Sequence, residues 1–115
     1  GDYSDPYVAA RLGEVKKKTV TKNNDLNPVW QDGESNVLKF PVSAGDRVLK
    51  LRVMNSNYIK DELLGKFDLE LDQIMRGEPG QEVAMTLPLE EGDGGTLDVK
   101  VLFKPPAGNP MMTDP

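Results

Sequence analysis

Apolar and polar residues alternate along most of this chain, and the period is the two residues of a β-strand rather than the 3.6 of a helix. Val8, Ala10 and Leu12 fall on one face and Tyr7, Ala9 and Arg11 on the other. Leu38, Phe40 and Val42 alternate around Lys39 and Pro41. Leu49, Leu51 and Val53 enclose Lys50 and Arg52, and Phe67, Leu69 and Leu71 enclose Asp68 and Glu70. Leu97, Val99, Val101 and Phe103 predict a last strand. Val83, Met85, Leu87 and Leu89 predict a weaker one, because Pro88 has no amide to donate and suits an edge. A polar strand over residues 16–22 brings the total to seven. Helix is predicted only over residues 71–75, stopped by Gly77 and Pro79. Turns are predicted at Asn23-Asn24-Asp25, at Ala44-Gly45-Asp46 and across Glu91-Gly92-Asp93-Gly94-Gly95. Short strands at this spacing imply an all-β fold, an antiparallel β-sandwich.

Composition narrows what such a sandwich can do. A chain of 115 residues supports one core. With few aromatics, that core must be largely Val, Leu and Ile. The absence of cysteine excludes disulfides and thiolate metal sites, and the absence of histidine removes imidazole as ligand, base or pH switch. A net charge of −5 disfavours a sequence-independent grip on nucleic acid. It also disfavours attraction to an anionic membrane unless the basic residues cluster. There is no apolar run of membrane-spanning length and no signal-peptide pattern. No Gly-rich phosphate loop or nucleophile elbow is found, and the acid pairs Glu90-Glu91 and Asp61-Glu62 fall in predicted loops. The chain reads as a binding module, not an enzyme.

Periodicity leaves open which Greek-key sandwich this is, an immunoglobulin-like one or another of similar size. Four phrases decide it: Ser4-Asp5-Pro6-Tyr7-Val8, Leu26-Asn27-Pro28-Val29-Trp30, Val53-Met54-Asn55-Ser56-Asn57 and Leu63-Leu64-Gly65. Together and in this order they resemble a C2 domain, the β-sandwich that many proteins use to dock on phospholipid membranes, often through bound calcium. The resemblance covers residues 1–104 and implies a C2-like Greek-key sandwich whose closing strand lies at the C-terminus. From residue 105 to 115 the composition turns Pro-rich and reads as a linker or tail.

The sequence departs from the C2 pattern twice. The opening strand that normally precedes the Ser-Asp-Pro phrase is absent, so the expectation is a sequence cut from a longer chain, or a strand supplied by another chain. In the third loop, Asn55 and Asn57 stand where the resemblance places aspartates. Asp5 keeps a ligand carboxylate, and Glu62, with Asp61 beside it, falls where a third loop aspartate would be. Asp5, Asn55, Asn57, Asp61 and Glu62 therefore make a degraded calcium site. Calcium affinity rises with the number of carboxylates gathered, and two have been exchanged for neutral carboxamides. The same residues also suit ordinary tight turns.

Residues 16–22 read Lys16-Lys17-Lys18-Thr19-Val20-Thr21-Lys22. Strand alternation puts Lys16, Lys18 and Lys22 on one face, where the resemblance implies contact with phosphoinositide headgroups and Tyr7 and Trp30 as lining. Lysines also keep a polar strand soluble and block edge pairing. At the third-loop tip, Tyr58, Ile59 and Lys60 suit the membrane interface, or can fold back on the sandwich. The expectation is a cytoplasmic module docking peripherally on anionic phospholipid or phosphoinositide membranes, with calcium dependence weakened or lost. The alternative is a calcium-independent module that binds a protein partner and no lipid.

Overall fold

The computed structural model describes residues 4–31, 36–92 and 94–105. The elements are β1 (Pro6–Leu12), β2 (Val15–Lys18), β3 (Val48–Asn55), β4 (Glu62–Glu70), α1 (Leu71–Met75), β5 (Glu82–Pro88) and β6 (Thr96–Leu102). Every strand pairing is antiparallel, in a four-stranded sheet of order β2-β1-β3-β4 and a two-stranded sheet of β5 and β6. The fold is an antiparallel β-sandwich. Strand β1 lies between its hairpin partner β2 and β3, which reaches it only after a long connection, as Greek-key order requires.

The alternation read in the sequence is what closes the core. Val8, Ala10 and Leu51 from the first sheet meet Leu87 and Leu97 from the second. Trp30, Leu49, Val53, Phe67, Met85 and Val99 pack around them, half-buried. Leu69 is 1% exposed. Gly13, at φ +60°, makes the two-residue turn that returns Leu12 onto Val15. The Leu-Gly phrase has a packing reason as well, since a Cβ on Gly65 would lie 2.8 Å from the Leu89 Cβ. Only glycine lets the two sheets approach there.

Two strand expectations are corrected. Residues 38–42 are not a strand, although Leu38 and Phe40 turn inward against the core as the alternation required. A strand needs a ladder partner, and among the described residues none lies beside this segment. The lysine strand ends at Lys18 instead of continuing to Lys22. Thr19 is the cause: its N–H bonds the Val8 carbonyl at 2.9 Å, and its own Oγ1 replaces the backbone as acceptor for the Val8 N–H, also at 2.9 Å. The pairing then slips by one residue, so that the Lys22 N–H reaches the Pro6 carbonyl. The tail expected over residues 105–115 lies, apart from Pro105, outside the described residues.

Candidate functional site

Cross-strand register assembles a basic surface that no single strand shows. Residues directly opposite each other in a ladder point to the same face. Arg11 lies between Lys16 on β2 and Lys50 on β3, and in the next row Ala9 lies between Lys18 and Arg52. Neighbouring strands are about 4.8 Å apart, so Arg11, Lys16, Lys18, Lys50 and Arg52 form one cationic grid on the outer face of the first sheet. Their inward neighbours are the core residues Val8, Ala10 and Leu51. Arg52 pairs with Asp68 at 3.0 Å, which offsets its charge. Asp68 also lies directly opposite Lys50 in the β3–β4 ladder, so the cations farther from that carboxylate are those on β1 and β2: Arg11, Lys16 and Lys18. Sequence reading found Lys16 and Lys18 but took Arg11, Lys50 and Arg52 only as the polar alternates of separate strands. Lys22 sits beyond the slip at Thr19 and is half-buried.

The next row along β1 is Tyr7, opposite Met54. Although it points outward, Tyr7 is only 8% exposed. The Lys18 ammonium lies 5.2 Å from the centre of its ring, and its hydroxyl donates to Asp61 at 2.5 Å. That hydrogen bond, then burial and the Asp61 charge, push the Tyr7 pKa up to about 12. The same bond, with a second from the Asn57 N–H, holds the Asp61 carboxyl below its ordinary value. Trp30 is half-buried against the core and donates its ring N–H to the Val20 carbonyl at 2.8 Å. Both aromatics thus have their polar groups engaged within the protein.

Beyond Tyr7, Asp5 joins the turn at residues 23–25 to the loop at 56–61. Its carbonyl accepts from Ser56 N–H at 2.9 Å, and its Oδ1 accepts from Asn24 N–H at 2.7 Å. Its own N–H donates to Asn55 Oδ1 at 2.8 Å. Asn55 and Asn57 both turn their amide N–H groups toward Glu62 Oε1, at 3.2 and 3.4 Å. Asn57 Oδ1 accepts from the Tyr58 N–H at 2.8 Å. All five predicted metal-site residues gather at this end, with the two carboxamides turned toward Glu62. A cation there needs converging oxygens, whereas two carboxamides present N–H groups to the one carboxylate between them. Among the described residues, no cluster of three or more acidic, histidine or cysteine side chains is arranged to hold a metal. Tyr58 and Ile59, at the tip of the same loop, are 105% and 97% exposed.

Comparison with known proteins bears on this arrangement. The family model described as C2 domain matches residues 1–89. Over 73 residues the chain is 38% identical to Protein C2-DOMAIN ABA-RELATED 11 of Arabidopsis thaliana, covering 63% of this chain and 42% of that protein. Over 73 residues it is 34% identical to the Probable ADP-ribosylation factor GTPase-activating protein AGD13 of the same plant, covering 63% of this chain and 20% of that protein. The chain thus spans less than half the length of either relative. Among solved structures, a C2 domain of a plant extended synaptotagmin 1 superposes with a TM-score of 0.75 at 30% identity, over 90% of this chain and 80% of that one. The calcium-bound pair of C2 domains of extended synaptotagmin 2 gives 0.70 at 22% identity, over 84% of this chain and 34% of that one, a likeness of fold alone.

Proposed function

The chain belongs to the C2 domain family, and from that premise we propose that it docks on anionic phospholipid surfaces through the outer face of its first sheet, without requiring calcium. The cationic grid of Arg11, Lys16, Lys18 and Lys50 supports this reading most. The protein as a whole is acidic, at −5, so a face with four basic side chains in adjacent positions is a local reversal of sign. Charges spaced well inside a Debye length of about 8 Å act on a headgroup layer together. Phosphoinositide headgroups, with several phosphates each, suit such a grid better than singly charged lipids. No helix among the described residues is long and apolar enough to cross a membrane.

The loop end supports the calcium-independent part. Carboxylates that would otherwise repel one another and wait for an ion are each occupied by a protein donor: Asp5 by Asn24, Asp61 by Tyr7 and Asn57, Glu62 by Asn55 and Asn57. These bonds tie the loop through the protein's own donors. With the acidic side chains at this end and the basic ones on the sheet, the domain lies face-on, with Tyr58 and Ile59 reaching the lipid at one margin. Partition onto phosphatidylcholine vesicles with and without phosphatidylserine or a phosphoinositide tests the reading. Binding only to the anionic vesicles, weakened by added salt, is the expected result. Equal partition on both, or none on either, rejects it and favours a protein-binding module.

A further inference from the structure

The third loop and the cationic grid meet at a single side chain. We propose that Tyr7 is a positioning residue: by holding Asp61, it draws the loop at 56–61 to the cationic side of the first sheet and fixes where Tyr58 and Ile59 meet a membrane. The inference rests on the docking reading above. Its physical content is separate, because it concerns how the loop is held before any lipid is present.

Asp61 is clamped at both oxygens. Its Oδ2 accepts from the Tyr7 hydroxyl, and its Oδ1 accepts from the Asn57 N–H at 3.0 Å across the base of the loop. Between Asn57 and Asp61 lie only Tyr58, Ile59 and Lys60, so one carboxylate closes the loop on itself and fastens the closed loop to β1. The other ties at the base are the Ser56 N–H bond to the Asp5 carbonyl at 2.9 Å, which holds the start of the loop, and the Glu62 contacts with Asn55 and Asn57, which at 3.2 and 3.4 Å are long for charge-assisted hydrogen bonds. Tyr7, at 8% exposed, is the better shielded side-chain attachment, and it holds the far end of the loop. Its ring also carries Lys18, so the same aromatic touches the cationic grid on one side and the loop on the other. A hydroxyl already donated to Asp61 is not a free donor for a lipid phosphate. Tyr7 acts on docking through the loop, not by touching the ligand.

The test uses Tyr7→Phe, Asp61→Asn and the two combined, in the whole chain. Amide exchange is read without vesicles, and partition is read on phosphatidylcholine vesicles containing phosphatidylserine. Loss of a hydrogen bond to a charged acceptor should speed exchange of the Asn57 N–H about tenfold in Tyr7→Phe, with Leu51 and Val53 on β3 unchanged. Asp61→Asn leaves one acceptor oxygen for the two donors and removes the charge, so it should speed exchange at least as much, and adding Tyr7→Phe to it should change little. Partition should weaken about fivefold in Tyr7→Phe, the effect of one lost contact. Removing the tip with Tyr58→Ala/Ile59→Ala should then cost less in that background than in the parent. A spectroscopic signature accompanies this: the tyrosine that ionises near pH 12 should titrate nearer 10 in Asp61→Asn.

Unchanged exchange at Asn57 overturns the proposal, and so does faster exchange with unaltered partition. Should Tyr7→Phe loosen the strand amides as well, Asp61→Asn, whose side chain lies outside the core, decides in its place. If the parent chain fails to partition at all, the docking reading falls, while the exchange comparison still decides whether Tyr7 sets the loop.

Discussion

Removing Arg11 and Lys16 together should weaken vesicle binding far more than removing two lysines from elsewhere on the sandwich. Arg11 faces Lys16 across one ladder and Lys50 across the other, so the Arg11→Gln/Lys16→Gln variant empties the centre of the grid. Each basic side chain near an anionic surface contributes about 1 kcal/mol, which is roughly a fivefold change in partition per residue. Two should cost about 25-fold at physiological salt. Both positions are exposed and outward on their strands, so the core is untouched and thermal stability should change by no more than about 0.5 kcal/mol. Lys39→Gln/Lys100→Gln is the matched control. It makes the same change in net charge, from −5 to −7, yet Lys100 lies on β6, in the other sheet. Co-sedimentation with phosphatidylserine vesicles at two salt concentrations reads the result. A control that loses as much binding as the grid variant would refute the reasoning, because net charge rather than a localised surface would then govern attraction. The reasoning also fails if the grid variant binds within twofold of the parent.

Three further outcomes follow from the fold. Thr19→Val keeps the shape but removes the hydroxyl that accepts from the buried Val8 N–H, so it should destabilise by about 1–3 kcal/mol in urea unfolding. Gly65→Ala places a Cβ against Leu89 and should cost about 1–3 kcal/mol, lowering Tm by roughly 4–8 °C for each kcal/mol. Tyr7 ionises at about 12 in the folded chain against 10.0 ordinarily, so the folded state holds this proton more tightly. Its contribution is complete below pH 10 and declines as pH rises toward 12. Tyr7→Phe should lack that decline, and the difference between the two unfolding curves isolates it from lysine titration.

The sequence made the first sheet legible wherever burial enforces alternation. Val8, Ala10 and Leu12, or Leu49, Leu51 and Val53, can be arranged with their apolar sets on one face in only one way. Residues 38–42 show the limit of this signal. Leu38 and Phe40 do face the core, but alternation reports which side is buried and not whether a neighbouring strand is present to pair. Lys22 shows another limit. Its expected place beside Lys16 and Lys18 assumed unbroken pairing, and the Thr19 hydroxyl substitutes for a backbone acceptor and slips the register. The grid itself was half visible, since Arg11, Lys50 and Arg52 each stood at outward positions of predicted strands. What joined them was the register of β1 against β2 and β3, which no local pattern contains. Likewise, the gathering of Asp5, Asn55, Asn57, Asp61 and Glu62 followed from the family resemblance. The donation from Tyr7 to Asp61 across 54 residues did not.

Co-sedimentation with anionic vesicles at physiological salt, run in parallel with calcium and with a chelator, tests the central claim most directly. Equal pelleting in both, lost in Arg11→Gln/Lys16→Gln, is the predicted result. Pelleting that requires calcium would contradict it, because Asn55, Asn57 and Glu62 would then have to abandon their mutual hydrogen bonds and turn oxygens toward an ion.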